Sequence, residues 1–557
     1  MPRRFCCVML LMCISALVYA DSTAQTPAKT TELLYLKILQ GLQQKPGVLP
    51  TLPDVPNPYG ALYNPEAIIP PQCYTRTEGE RNPCYVCHQN AVKGRENTMN
   101  DGDLQAEYSF SDIGFTNHWQ NLFEDRSAKV AAISDDAILK WVNEDNYSAL
   151  ASRLRTAKFK GWIPDLAHLE QGQAAFDADG FAKDGSHWVA FNYKPLPSTF
   201  WPTNGSTDDV MIRLPEAFRT NSKGQYSADV YKANLAILEA KIKGLNSISS
   251  LSIDEKAVGQ DLNGDNLLTT ANQISKLEHY VGAAEKEFID TFLYPEHTEF
   301  LHTVRYLGIN DDGQITLSKR MKEVRYMRKW KAYRKIMYRR FYQEEGFEKD
   351  AGNLPGYTDL GQRGLDNGMG WAVQGFIEDK NGHLRASTFE ENMFCMGCHN
   401  SIGSTIDKTF SFPRKVDGAK GWTYINLKGM PDAPNQGETE GEILTYFKRV
   451  GGGDEFRSNT EMKQRWFNAD GTVNQAKVKA AKDLYELLTP SKERALLLNK
   501  AYRTIVDEQD FIYGRDATVT PPKNVYDKID SKTAPTLPNE RIYPWDIRLD
   551  WQASDLK

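Results

Sequence analysis

Two five-residue segments place two thiols and an imidazole at one spacing: Cys84-Tyr85-Val86-Cys87-His88 and Cys395-Met396-Gly397-Cys398-His399. The pattern Cys-x-x-Cys-His is that of covalent haem attachment. The two thiols add across the two vinyl groups of one haem as thioethers, and the adjacent histidine lies under the ring to bind iron. Cys84, Cys87, Cys395 and Cys398 are therefore the expected attachment points of two haem c groups, and His88 and His399 the expected proximal iron ligands. A structural zinc site needs further clustered Cys or His ligands, and neither segment has them nearby in sequence. A thioredoxin-like dithiol has no need of a histidine directly after the second cysteine in both copies.

Other residues offer further chemistry. Asp261, Asn263 and Asp265 occupy oxygen-ligand positions of a calcium loop, although position 12 is Asn272 rather than a bidentate Glu. Ca2+ is thus a second candidate cofactor, against the alternative of an Asx-rich turn. Asn310 and Asp312 form a weaker copy. For the first iron, Met99, His118, His187 and Met211 are candidate sixth ligands, and an open position is the alternative. Once an expected signal segment carrying Cys6, Cys7 and Cys13 is removed and both haems are attached, Cys73 is left over, so no intramolecular disulfide is expected.

The elements that must position these groups read as mostly helical. A signal segment is expected over 1–20, with Arg3 and Arg4 before an apolar stretch ending at Ala20. Met12 before Cys13 is a poor lipobox, so no lipid anchor is expected. Beyond it no apolar run is long enough to span a membrane. The chain has 557 residues and a net charge of −6, a balance that argues against nucleic acid as a partner. Residues 21–225 are expected to form an N-terminal haem c domain, with aromatic, turn-rich short strands over 160–220. Residues 226–345 read as a helical middle region and residues 346–557 as a C-terminal haem c domain. Helices are expected over 231–245, 440–450, 474–488 and 492–508. The strongest helical periodicity runs over 317–342, and its segment 319–340 carries eleven Lys or Arg and one acid. That face would suit an acidic partner or haem propionates. The fold class expected is mainly α with extensive irregular loops, with two cytochrome c-like haem domains flanking the helical middle.

Met430, in Gly429-Met430-Pro431, follows the second motif in a loop of the kind that carries the axial methionine of class I cytochromes c. Residues 390–450 resemble that class, and the resemblance implies Met430 as sixth ligand of the second iron, with Met462 as competitor. Two Cys-x-x-Cys-His motifs in a large exported chain also resemble periplasmic di-haem cytochromes, including bacterial di-haem cytochrome c peroxidases and di-haem rubber oxygenases. The motifs lie further apart than the peroxidase pattern. The resemblance implies a Gram-negative periplasmic electron-transfer protein with a redox partner protein or small oxidant or reductant. In it the Met430-side haem is the electron port. The alternative is a haem oxidoreductase with an open, reactive iron at His88.

Overall fold

The computed structural model describes residues 66–554 apart from 78, 91–100, 198–200, 354–355, 400–401, 453–458, 517, 531 and 535. The expected signal segment, Cys13 and Met99 lie outside the described residues. The described residues fall within one unit, Asp54–Lys557.

Its framework is sheet, which corrects the mainly α expectation. The strands are β1 Val189–Ala190, β2 Thr207–Arg213, β3 Ile248–Asp254, β4 Thr270–Ile274, β5 Glu299–Ile309, β6 Ile315–Lys329, β7 Thr358–Asp359, β8 Leu365–Asp366, β9 Trp371–Glu378, β10 Leu384–Ala386, β11 Asn435–Gln436 and β12 Asp546–Leu549. An eight-stranded sheet has the order β1-β2-β5-β6-β9-β8-β7, with β10 also on β9. Every pairing in it is antiparallel. It draws strands from 189–213, 299–329 and 358–386, so no pair of separate cytochrome c-like domains is present among the described residues. β3 with β4 and β11 with β12 form two small additional sheets.

The segment expected as one basic helix over 317–342 is instead strand β6 followed by the helix Lys335–Asp350. β6 lies between β5 and β9 and is buried on both faces over much of its length, so the alternation that marks a half-exposed strand is lost. Its spaced apolar residues then imitate a helical stripe. Several of its cations point inward and are partnered there. Arg320 pairs with Glu378 at 2.6 Å and Glu144 at 2.8 Å, and Lys329 pairs with Asp407 at 2.8 Å. Lys322 donates to the Gly205 carbonyl at 2.7 Å. Arg320, Lys322 and Lys329 are buried, so they do not form a docking face for an acidic partner.

Helices form where capping and periodicity agree. The helix Lys492–Glu508 begins at Ser491, whose Oγ accepts the Arg494 amide, and it buries Leu498, Tyr502 and Ile505 on one face. The helix Ala228–Lys243 starts at Ser227 and ends on Gly244, in left-handed conformation at φ 69°. The stretch expected as one helix over 474–488 divides into Gln475–Ala480 and Leu484–Leu488, the second capped by Asp483.

Glu378 on β9 is buried between Arg320 and Tyr306. Burial pushes its carboxyl up to about 7, against the opposing Arg320 charge and Tyr306 hydrogen bond. The unfolded carboxyl ionises first as pH rises, so the folded state holds the extra proton and loses stability between about 4.5 and 7. We expect this loss to reach roughly 3 kcal/mol. Urea unfolding from pH 4 to 8 should show it, and Glu378→Gln should flatten that part of the profile.

Candidate functional site: two cysteine–histidine motifs beside one apolar cavity

The first motif lies in a tight turn. Cys84–Val86 form a single 3-10 turn after Pro83. Asn82 Oδ1 accepts the Cys84 amide at 3.0 Å, and the His88 amide closes onto the Cys84 carbonyl at 3.0 Å. Trp545 Nε1 donates to the Tyr85 carbonyl at 2.6 Å, and Gln105 Nε2 to the His88 carbonyl at 2.7 Å. The His88 ring places Nδ1 3.2 Å from Asp101 Oδ2. Burial disfavours a charged Asp101, yet the His88 hydrogen bond and the nearby charges of His88, Lys349 and Lys408 hold its carboxyl well below the usual range. A carboxylate on one ring nitrogen fixes the orientation of an imidazole whose other nitrogen binds metal.

The second motif forms the last turn of the helix Phe389–His399. A capping box fixes the start of that helix. The Glu391 amide reaches Thr388 Oγ1 at 3.3 Å, and Glu391 Oε2 accepts the Thr388 amide at 2.8 Å. Arg385 grips the same carboxylate with two bonds of 2.7 and 2.8 Å. Gly397 lets the backbone of 68–70 pack against the motif: a Cβ there would lie 2.0 Å from the Ile68 carbonyl oxygen. We expect Gly397→Ala to cost about 1–3 kcal/mol through forced displacement of this contact, read as a lower urea midpoint.

The fold brings the two motifs together. The Cys73 thiol is pushed up by burial and then by its neighbours Cys84, Cys87 and Cys398. Cys87 is pushed up by burial, then by Cys398 and Cys84. Burial also lifts Cys84 to about 12 and Cys398 to about 11, the latter against the Arg325 charge. All five described cysteines are free thiols. Suppressed thiolates are the reverse of what a catalytic dithiol needs.

Beside the second motif is a cavity with about 1640 Å3 of space free of protein atoms, its open mouth included. Cys395, Cys398 and His399 form one wall and Trp119 and Phe394 another, with ring centroids 5.0 Å apart. The floor is the large sheet. Successive side chains of a strand point to opposite faces, and Phe300, His302 and Val304 of β5 all line the cavity. Across the register, Val210 of β2 and Arg325 of β6 flank His302, and Met327 and Val373 continue the same face. Arg325 and Arg515 share the carboxylate of Glu323 at 3.0 and 2.8 Å. Arg515 also approaches Cys395 Sγ at 3.9 Å.

His399 is pushed down to about 3 by burial and by the Arg325 and His302 charges, so its imidazole is neutral at physiological pH. Among the described residues its buried Nδ1 has no hydrogen-bond partner. Neutral imidazole is the form that binds a metal. The donor set, the aromatic walls and the neighbouring guanidiniums fit a haem at Cys395, Cys398 and His399. At Cys84, Cys87 and His88 the fit rests on the thiol pair and on the Asp101 contact.

Met430 is placed elsewhere. It is buried with Tyr85, Val86 and Ile443, in the apolar cluster that packs on the first motif, and it does not line the cavity at His399. Asp261, Asn263 and Asp265 form the turn between β3 and β4. Glu255, which the sequence reading missed, joins Asp261 and Asp265 with oxygens within 4.8 Å of one another. These carboxylates already accept backbone amides of the same loop: Asp261 from Gly264 and Asn266, Asp265 from Leu267, and Glu255 from Leu262 and Thr269. The loop therefore has the bonding of an Asx-rich turn. Asn310 and Asp312 lie in the turn joining β5 to β6, where Asn310 Oδ1 accepts the Gln314 amide. Sequence reasoning also missed His302, Asp208 and Asp101. The aromatic and β-branched residues Phe300, Thr303, Val304 and Tyr306 were the available signal for the strand that carries His302.

A family described as "-like lipoprotein" matches residues 60–485. A protein of Aquifex aeolicus (strain VF5) named "Uncharacterized lipoprotein" is 35% identical over 520 residues, spanning 82% of this chain and 86% of its own. The chain belongs to this lipoprotein family. No solved structure matches it. The family match and the sheet-based fold overturn the resemblance to di-haem cytochrome c peroxidases, di-haem rubber oxygenases and class I cytochromes c. Membership makes this an exported bacterial protein associated with a membrane. It counts against the expectation of no lipid anchor that Met12 suggested. Among the described residues no helix is long and apolar enough to cross a membrane.

Proposed function

We propose that the protein carries two covalently attached haems, at Cys84, Cys87 and His88 and at Cys395, Cys398 and His399, and passes electrons between them and an external redox partner. One observation carries the reading. Two Cys-x-x-Cys-His motifs, distant in sequence, meet in the fold closely enough for Cys398 to push up the pKa of Cys87 and Cys73. Independent structural cysteines have no reason to converge in this way.

Haem iron would supply reversible one-electron chemistry there. Asp101 orients His88 through Nδ1, and Gln105 holds the His88 backbone. Trp119, Phe394 and Phe300 give the second site apolar walls. Arg325 and Arg515, which both meet Glu323, are placed to offset propionate charge. We place the protein in the periplasm, because thioether attachment in bacteria follows export. Its partner is a redox protein or a small oxidant or reductant.

The test is a haem count on the purified full chain after export with the attachment machinery. Two haems per chain that survive denaturing electrophoresis support the reading, and a chain without covalent haem defeats it. A high-spin ferric component that shifts with cyanide would assign small-molecule chemistry to that iron.

A further inference from the structure

We infer that His302 provides the second axial ligand to the iron held by His399. The inference deepens the haem reading and rests on it. His302 stands on β5, at the middle of the sheet face that forms the cavity floor, and His399 stands on the wall formed by the helix Phe389–His399. Both imidazoles line the same cavity, together with Cys395 and Cys398. The residues before and after His302 on that face are Phe300 and Val304. Arg325 of β6 and Val210 of β2 lie directly across from it, so His302 is the imidazole that the sheet presents to the cavity.

The contact with Asp208 matches a ligand's surroundings. Asp208 Oδ2 lies 3.3 Å from His302 Nε2, and the same carboxylate accepts the Tyr193 hydroxyl. Histidines that bind metal commonly pair their other ring nitrogen with a carboxylate, which sets tautomer and orientation. His88 with Asp101 repeats this arrangement at 3.2 Å. Asp208 and Asp101 are thus positioning residues, each acting through a histidine. Met430 lies in another cluster, and Met327, also on the floor, is the competing ligand. A histidine pair gives a lower potential than a histidine and methionine.

The experiment uses the full-length, haem-loaded chain and reads electronic and EPR spectra of the ferric protein beside the haem count. In His302→Ala we expect two haems per chain and conversion of one low-spin signal, half the haem, to high spin, with free imidazole restoring low spin. His302→Met, which keeps a ligand, should remain low-spin at a raised midpoint potential. This second variant decides the matter if His302→Ala does not fold. Unchanged spectra and potential in both variants, at two haems per chain, overturn the ligand and leave the haem reading standing. The same spectral change in Met327→Leu, with His302→Ala silent, reassigns the ligand and also overturns it. Absence of covalent haem from the unaltered chain overturns both.

Discussion

Replacing Cys395 and Cys398 together by alanine should leave one covalently bound haem per chain in place of two. Haem staining after denaturing electrophoresis should fall by half, and the reducible haem absorbance with it. The expected effect is large because both thioethers are lost and the remaining histidine alone cannot retain haem through denaturation. Replacing Cys84 and Cys87 should remove the other half, and the fourfold variant should carry none. The structure adds an asymmetry. The second motif ends a capped helix beside a wide apolar cavity, while the first is a turn clamped by Asn82, Gln105 and Asp101. Without haem the walls around Trp119 and Phe394 lose their contents, so the Cys395 and Cys398 variant should also unfold at lower urea. Equal haem content in the unaltered chain and the Cys395, Cys398 double variant would remove that motif from the proposal.

Asp407→Ala should destabilise the fold by about 3–5 kcal/mol, because it strands a buried ammonium. Lys329 and Asp407 are both buried and lie 2.8 Å apart. Lys329 Nζ also donates to the Tyr338 hydroxyl at 2.8 Å and the Met369 carbonyl at 2.9 Å. Asp407 in turn accepts the Thr405 hydroxyl and the Tyr294 amide. Burial pushes the Lys329 ammonium down in pKa and Asp407 opposes it. Removal of the carboxylate leaves the desolvation cost without its compensation. The double change Lys329→Met with Asp407→Leu should recover a large part of the loss, since a buried pair is worth little over apolar residues of similar volume. Urea unfolding of the three proteins measures both effects. A loss below 1 kcal/mol in Asp407→Ala would mean that the pair is not enclosed.

The long strand β6 shows how far the sequence could mislead. Its basic residues suggest a solvated or docking face, yet Arg320, Lys322 and Lys329 each find an acceptor inside the fold. Those acceptors lie on β9, on the 205–206 turn and on the 405–409 loop, none of them near in sequence. The helical reading failed for the same reason, since pairing with β9 and burial on both faces come from outside the segment and override local periodicity. The helix Lys492–Glu508, by contrast, was legible to the residue, because its cap and its apolar stripe are both local. Met430 has the turn expected of it, with Gly429 at φ 76°, but the loop packs on the first motif's cluster. Its local form said nothing of which side of the molecule it would face.

The sequence by itself determined the two Cys-x-x-Cys-His segments and the chemistry they suit, because that chemistry is complete within five residues. It also determined the capped helices, which close their own hydrogen bonds. Only the tertiary structure decided that the two motifs meet, that His302 rather than Met430 shares the cavity with His399, and that the frame is an antiparallel sheet. Those outcomes depend on which strands pair and which faces are buried, and the free energy of such contacts belongs to residues tens to hundreds of positions apart.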